Sequence, residues 1–109
     1  MPLRTEAALR VAVTRLDPSA AVRFEREFHA ARQEAVRTDS TVPIQTFRYR
    51  WAVFVALRRP PARAARLAEL EAAVAEAATH EAARAASSEI AALLDEATRE
   101  VAEQPARRR

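Results

Sequence analysis

The 109-residue chain contains no cysteine, glycine, lysine or asparagine. Without cysteine, neither a disulfide nor a thiolate metal site can form. Without glycine, glycine-dependent phosphate-binding loops and nucleophile elbows are excluded. Because asparagine is absent as well, tight hairpin turns lose both of the residues that they prefer. Sheet-rich folds are therefore disfavoured, whereas alanine, the strongest helix former, is abundant.

Two kinds of segment are also missing. The longest apolar stretch falls short of the roughly 18 residues that a membrane-spanning helix needs. The N-terminal sequence MPLRTEAALR lacks the apolar core of a secretory signal. We therefore expect a cytoplasmic protein with no membrane contact.

Charge is distributed unevenly along the chain, and every one of its 18 basic residues is arginine. Residues 1–66 carry a net charge of +7, residues 67–106 carry −7, and the terminal RRR restores the total of +3. Two interpretations remain open. An acidic helix could lie over a basic body of the same chain, or the two halves could form partner surfaces of opposite sign.

Spacing and capping residues predict two N-terminal helices. In RTEAALRVAVTRL, Thr5 is a candidate N-cap and apolar residues recur at helical spacing. In DPSAAVRFEREFHAARQEAVRT, Asp17 is the candidate N-cap and Pro18 suits the first helical position. Phe24 and Phe28 belong to one apolar stripe of this second helix.

Residues 46–57, TFRYRWAVFVAL, have two interpretations. Large apolar residues alternate with other residues, which is typical of a strand with one buried face. Wound as a helix, the segment places Phe47, Trp51 and Phe54 within an arc of about 100°. Pro43 favours a helix start, and a lone strand would leave its backbone groups unpaired. We therefore favour a helix. In the strand alternative, two chains would form the DNA-binding ribbon of a ribbon-helix-helix repressor.

The acidic segment after the two prolines is nearly continuous helix-forming sequence. Between Val74 and Ile90 its largest apolar side chain is alanine, so that stretch buries little. Ser87 and Ser88 are the predicted break. The segment is thus interpreted as two helices, at about 61–86 and 88–103, or as one bent helix.

These observations predict an all-α protein. A basic three-helix bundle (residues 1–60) is followed by an extended, acidic, alanine-rich helical arm (61–104) and a basic tail (105–109). The predicted core consists of ten apolar residues at helical spacing: Leu9, Val13, Leu16, Phe24, Phe28, Ile44, Phe47, Trp51, Phe54 and Val55.

No residue pattern indicates catalysis. His29 and His80 are the only histidines, and neither has a second ligand at helical spacing. The glutamates do not form the Glu-x-x-His pairs of a di-metal bundle and are interpreted as solvated helix faces. We therefore predict a non-enzymatic protein with no catalytic residues, no cofactor and no metal site.

Residues 5–66 resemble a family of short actinobacterial proteins that are often encoded beside toxins of the RelE/ParE type and look like their antitoxins. The matching residues are Thr5, Ala8, Leu9, Arg10, Phe24, Glu25, Phe28, Ala31, Pro43, Arg50 and Trp51. The resemblance implies that this chain neutralises a small basic toxin.

The acidic C-terminal helix is the predicted contact with that toxin, through apolar anchors and flanking carboxylates in helix-in-groove recognition. Its residues are Glu89, Ile90, Leu93, Leu94, Glu96, Ala97, Glu100 and Val101. Nucleic-acid contacts are predicted for six arginines, which are Arg48, Arg50, Arg58, Arg59, Arg63 and Arg66. The alternatives are a structural helical homodimer without a toxin and the ribbon-helix-helix repressor.

Overall fold

The computed structural model describes residues 5–103, which are helical almost throughout. Over that range five helices follow one another: α1 (Glu6–Leu16), α2 (Pro18–Thr38), α3 (Val42–Arg58), α4 (Pro61–Glu76) and α5 (His80–Glu103). Residues 5–103 contain no strand, so the all-α prediction is confirmed. The chain divides into two compact units, Met1–Val55 and Ala56–Arg109, and the division falls within α3. The predicted basic tail lies outside the described residues.

Side-chain caps start the first two helices where the sequence predicts them. The Thr5 hydroxyl accepts a hydrogen bond from the backbone N–H of Ala8 at 3.1 Å. The Asp17 carboxylate accepts one from the backbone N–H of Ser19 at 3.1 Å, and Pro18 opens α2. Each cap satisfies a backbone donor that has no partner within its helix, which is why the helices begin there.

The turn after α2 shows how the chain forms a left-handed position without glycine. Asp39 adopts φ 51°, and the N–H of Ser40 donates back to the carbonyl of Ala35 at 3.1 Å. Aspartate tolerates this region better than most residues. The Ser40 hydroxyl then accepts from the N–H of Val42 at 3.1 Å, where α3 begins.

Residues 46–57 lie within α3, so the strand alternative is wrong, and the ribbon-helix-helix interpretation that depends on it is wrong too. A helix satisfies the backbone groups of this segment internally, whereas residues 5–103 offer no strand to pair with it. Phe47, Trp51 and Val55 are buried, and so are Val53 and Leu57. The helix is thus apolar on more than one side, which is the pattern of a buried helix.

The core of the first unit is aromatic. Phe24 of α2 is fully buried, with ring centroids 4.9 Å from Phe47 and 5.2 Å from Trp51 in edge-to-face geometry. Leu9 and Val13 of α1 are also fully buried. Of the ten predicted core residues, six are buried, whereas the following four are only partly so: Leu16, Phe28, Ile44 and Phe54.

The acidic segment is not the extended arm that the sequence predicts. α4 and α5 pack against each other as an antiparallel hairpin, in which Arg63 pairs with Glu100 and Arg66 with Glu89. The helix break falls at residues 77–79, where the Thr79 hydroxyl caps α5 by accepting from the N–H of Ala82 at 3.0 Å.

The predicted break at Ser87 and Ser88 is therefore wrong, because both serines lie exposed in the interior of α5. Exposed serines cost a helix little, whereas a threonine N-cap satisfies an otherwise free backbone donor. The hairpin buries Leu67 and Leu70 of α4 together with Ala86 and Ala97 of α5. Within residues 5–103, no helix has the length and apolarity needed to cross a membrane.

Candidate functional site

Arg63 organises the carboxylates of the α4–α5 hairpin. One terminal nitrogen donates to the carbonyl of Ala56 at 2.8 Å and to Glu100 Oε1 at 3.1 Å. The other donates to Glu96 Oε1 at 2.8 Å and also reaches the second oxygen of Glu100. The Arg63 side chain is only 12% exposed. Its planar guanidinium thus bridges two glutamates on successive turns of α5.

Arg66, one turn further along α4, makes a second and more exposed bridge. Its terminal nitrogens donate to Glu69 Oε1 at 3.0 Å and to Glu89 Oε1 at 2.5 Å. The side chain is 47% exposed. Solvent competes for these contacts, so we expect this bridge to be weaker than that of Arg63.

All three predicted toxin-contacting carboxylates therefore have partners within the chain. Glu89, Glu96 and Glu100 lie along one flank of α5 and stay half-exposed while they accept from the two arginines. The hydrogen bond from Arg63 lowers the pKa of Glu100 below its ordinary value. The same contacts raise the pKa of Arg63, with Glu100 as the main cause. We call these three residues the glutamate flank.

The apolar residues predicted to contact a toxin do not form an open stripe. Ala97 is fully buried, so its predicted role as a partner contact is wrong. Ile90, Leu93 and Val101 are only partly exposed. They share with Ala97 the side of α5 that closes the core of the hairpin. Leu94 is the exception, with 43% of its surface exposed.

The six arginines predicted to contact nucleic acid are in different situations. Arg63 and Arg66 donate to glutamates, so a phosphate would have to compete with those carboxylates. Arg48 and Arg50 are exposed but lie two residues apart on a helix, which points them to different sides. A strand would have aligned them. The remaining two are Arg58, which is partly buried, and Arg59, which is exposed.

A polar cluster that the sequence analysis missed surrounds the single tryptophan. The indole N–H of Trp51 donates to Glu27 Oε1 at 3.0 Å. The guanidinium of Arg23 lies 5.0 Å from the Trp51 ring centroid and 5.7 Å from that of Phe54. Arg23 also approaches Glu27 Oε2 at 3.7 Å. The i,i+4 spacing of Arg23 and Glu27 was the available signal, but its meeting with Trp51 depends on tertiary packing.

A second cluster joins α1 to α2. Arg10 donates to Glu25 Oε1 at 2.9 Å, pairs with Glu6, and lies 5.5 Å from the ring centroid of Phe24 and 5.7 Å from that of Phe28. The hydrogen bond from Arg10 lowers the pKa of Glu25. Arg10 and Glu25 are two of the residues on which the predicted family resemblance rests. Their contact gives each of them a structural role, which is to link α1 to α2.

Residues 5–103 contain no group of three histidine, aspartate or glutamate side chains that could hold a metal ion. Comparisons with protein-family models, curated proteins and solved structures found no match to this chain. The resemblance to antitoxin-like proteins therefore stays a prediction.

Proposed function

We propose that this chain is a non-enzymatic interaction protein that neutralises a small basic toxin of the RelE/ParE type through the acidic hairpin. In this proposal α1, α2 and α3 form a three-helix bundle that carries the basic surface, and the protein acts in the cytoplasm. A contact between the basic N-terminal part and DNA is the second element of the proposal.

The observation that supports the toxin contact is the alignment of the glutamate flank. Glu89, Glu96 and Glu100 are half-exposed, lie on one side of α5 and already bind guanidinium groups from α4. Carboxylates held in this way can accept arginines of a basic partner with little further ordering, which reduces the cost of binding.

A partner's arginine has to displace Arg63 or Arg66 from the glutamate flank. The exposure of these two side chains determines which of them is displaced first. Arg66 is 47% exposed and Arg63 only 12%. A partner's arginine therefore replaces Arg66 at Glu89 more easily than it replaces Arg63. Leu94 lies at least 120° around α5 from each of the three glutamates, given about 3.6 residues per turn. A single flat partner surface thus contacts the glutamate flank and leaves Leu94 outside.

The test begins with purification of the tagged chain from its native host at low salt and identification of the bound protein. We expect a stoichiometric small basic protein, released at about 0.5 M NaCl because salt screens exposed charges. The triple variant Glu89→Gln/Glu96→Gln/Glu100→Gln should lose at least about tenfold in affinity for the purified partner and should no longer rescue growth when that partner is expressed.

The matched control is Glu71→Gln/Glu76→Gln/Glu81→Gln, which removes the same charge from exposed positions outside the glutamate flank. It should retain nearly all of the affinity. Equal losses in the two triple variants would mean that net charge, not this flank, attracts the partner. Recovery of the chain alone, as a homodimer that salt does not disrupt, would contradict the toxin proposal and favour the structural dimer.

A further inference from the structure

We infer that the outer face of α2 binds the phosphate backbone of a nucleic acid. This face carries Arg26, His29, Arg32, Gln33, Val36 and Arg37, all of them exposed. The inference rests on the DNA element of the proposed function and replaces the six predicted arginines between positions 48 and 66 with a different surface.

Arg26 and Arg32 have no carboxylate three or four positions away along α2. The residues three and four positions away from Arg26 are Val22, Arg23, His29 and Ala30. Those around Arg32 are Phe28, His29, Ala35 and Val36. Neither arginine has an ion pair among residues 5–103. Because i,i+3 and i,i+4 positions are the neighbours on a helix surface, neither arginine has an ion-pair partner along α2.

The other arginines of α2 show the contrast. Arg23 approaches Glu27, and Arg37 pairs with Glu34. Glu27 and Glu34 lie on the remaining half of its circumference, given about 3.6 residues per turn. Glu25 lies on the same side as Arg32 and Val36, where it is paired with Arg10 of α1. The one carboxylate on this half of α2 therefore already has an arginine partner, whereas Arg26 and Arg32 have none among the residues that the structure describes.

An open hollow of about 460 Å³ lies on this face, lined by His29, Arg32, Gln33, Val36 and Arg37. The Arg32 guanidinium and the Gln33 amide there can donate to phosphate oxygens, whereas Arg37 already donates to Glu34. The Arg32 guanidinium lies 5.8 Å from the Phe28 ring centroid, which restrains the side chain while its charge stays exposed. Val36, with 83% of its surface exposed, adds an apolar contact for a sugar.

The dimensions favour a polymer of phosphates over a single anion or an acidic membrane. From Arg26 to Arg37 the helix advances by about 16 Å, at 1.5 Å per residue. One strand of duplex DNA places about five phosphates along that length, at 3.4 Å each. Membrane-binding helices need a broad apolar face, whereas the apolar residues here are two valines separated by almost four turns, Val22 and Val36.

The test compares two double variants of the full chain with equal net charge. Arg26→Gln/Arg32→Gln removes the unpaired charges of α2, and Arg84→Gln/Arg99→Gln removes two exposed arginines of α5. Glutamine keeps helix propensity and part of the side-chain stem. Binding of a fluorescent 20-base-pair duplex is measured by anisotropy at several salt concentrations from about 20 to 200 mM, and circular dichroism checks the fold.

We expect wild type to bind the duplex, with the α2 variant weaker by at least about tenfold at the lowest salt. Its slope of log affinity against log salt should fall in magnitude by about 2, because each phosphate contact contributes about 0.9. The α5 variant should bind within about threefold of wild type. Equal weakening of both variants would overturn the α2 surface but leave DNA binding intact.

Two further outcomes test whether the protein binds duplex DNA at all. If wild type fails to bind duplex at low salt, the DNA element of the proposed function and this inference fall together, while the toxin contact is unaffected. Binding to phosphatidylserine vesicles with none to duplex would assign the face to a membrane and would likewise overturn the inference.

Discussion

The two compact units of this chain are built by different means. In the first unit, the buried ring of Phe24 contacts Phe47 and Trp51, and the guanidinium of Arg23 lies over the Trp51 ring. In the α4–α5 hairpin, the buried residues are Leu67, Leu70 and two alanines, and ion pairs run along one flank. Large rings bury much more apolar area than alanines do. The hairpin therefore depends more on helix propensity and charge pairing than the aromatic unit does.

The largest expected effect comes from removing the central ring of the aromatic unit. Phe24→Ala should lower the free energy of unfolding by about 3–5 kcal/mol, because it leaves a cavity between α2 and α3. Urea unfolding followed by Trp51 fluorescence measures this loss. Phe24→Leu retains more of the side-chain volume than Phe24→Ala does. It should therefore lower the free energy of unfolding by less.

Two further variants sharpen this result. Val22→Ala, at an exposed position of the same helix, should change stability by less than about 0.5 kcal/mol. Leu70→Ala in the hairpin should cost about 2–3 kcal/mol, measured by circular dichroism, since its smaller side chain leaves a smaller cavity. If Leu70→Ala lowers the free energy of unfolding by as much as Phe24→Ala or more, the hairpin does not depend less on its buried side chains than the aromatic unit does.

A smaller effect distinguishes the two arginine bridges of the hairpin. Double-mutant cycles should give a coupling of about 1 kcal/mol for Arg63 with Glu100 and a smaller coupling for Arg66 with Glu89. The reason is exposure, 12% for Arg63 against 47% for Arg66. Urea titrations of the single and double alanine variants measure both couplings. The reverse ranking would show that exposure does not decide their strength.

The smallest effect is a dependence on pH that involves one carboxylate from each unit. Arginine hydrogen bonds lower the pKa of Glu25 and of Glu100. A carboxyl with a lowered pKa in the folded chain stabilises it above the unfolded value of about 4.3. That contribution is lost as the pH falls through the folded pKa. We expect the urea midpoint to fall between about pH 6 and pH 3.

The fall should be smaller in Glu25→Gln/Glu100→Gln, which lacks the two carboxylates whose pKa is lowered by arginine. Both carboxylates are half-exposed, so solvent screening keeps the difference modest. An unchanged pH dependence in the double variant would assign acid destabilisation to other groups.

Much of the helical pattern was predictable from local sequence. The caps at Thr5 and Asp17 follow from residue type and position, and both form as predicted. The period of the apolar residues identified Phe24, Phe47 and Trp51 as core. The break between α4 and α5 was not found, because alanine-rich sequence has uniform propensity and Thr79 gave a weaker signal than the paired serines.

The candidate site was less predictable, and the glutamate flank shows why. Sequence located Glu89, Glu96 and Glu100 on one side of a helix but did not determine what faces them. Two arginines reach them only because α4 folds back on α5, and their side chains come from positions 23 to 37 residues away. The same fold buries Ala97, which the apolar spacing alone had placed on a partner surface.

The sequence by itself determined an all-α chain, through the absence of glycine and asparagine, the abundance of alanine and the 3.6-residue apolar period. It also determined which arginines of α2 lack a carboxylate three or four positions away, since neighbours on a helix are set by spacing. The tertiary structure decided which charges neutralise one another in the hairpin and which ring lies under Arg23. Those pairings join residues far apart in sequence, and only the packing of whole helices brings them within reach.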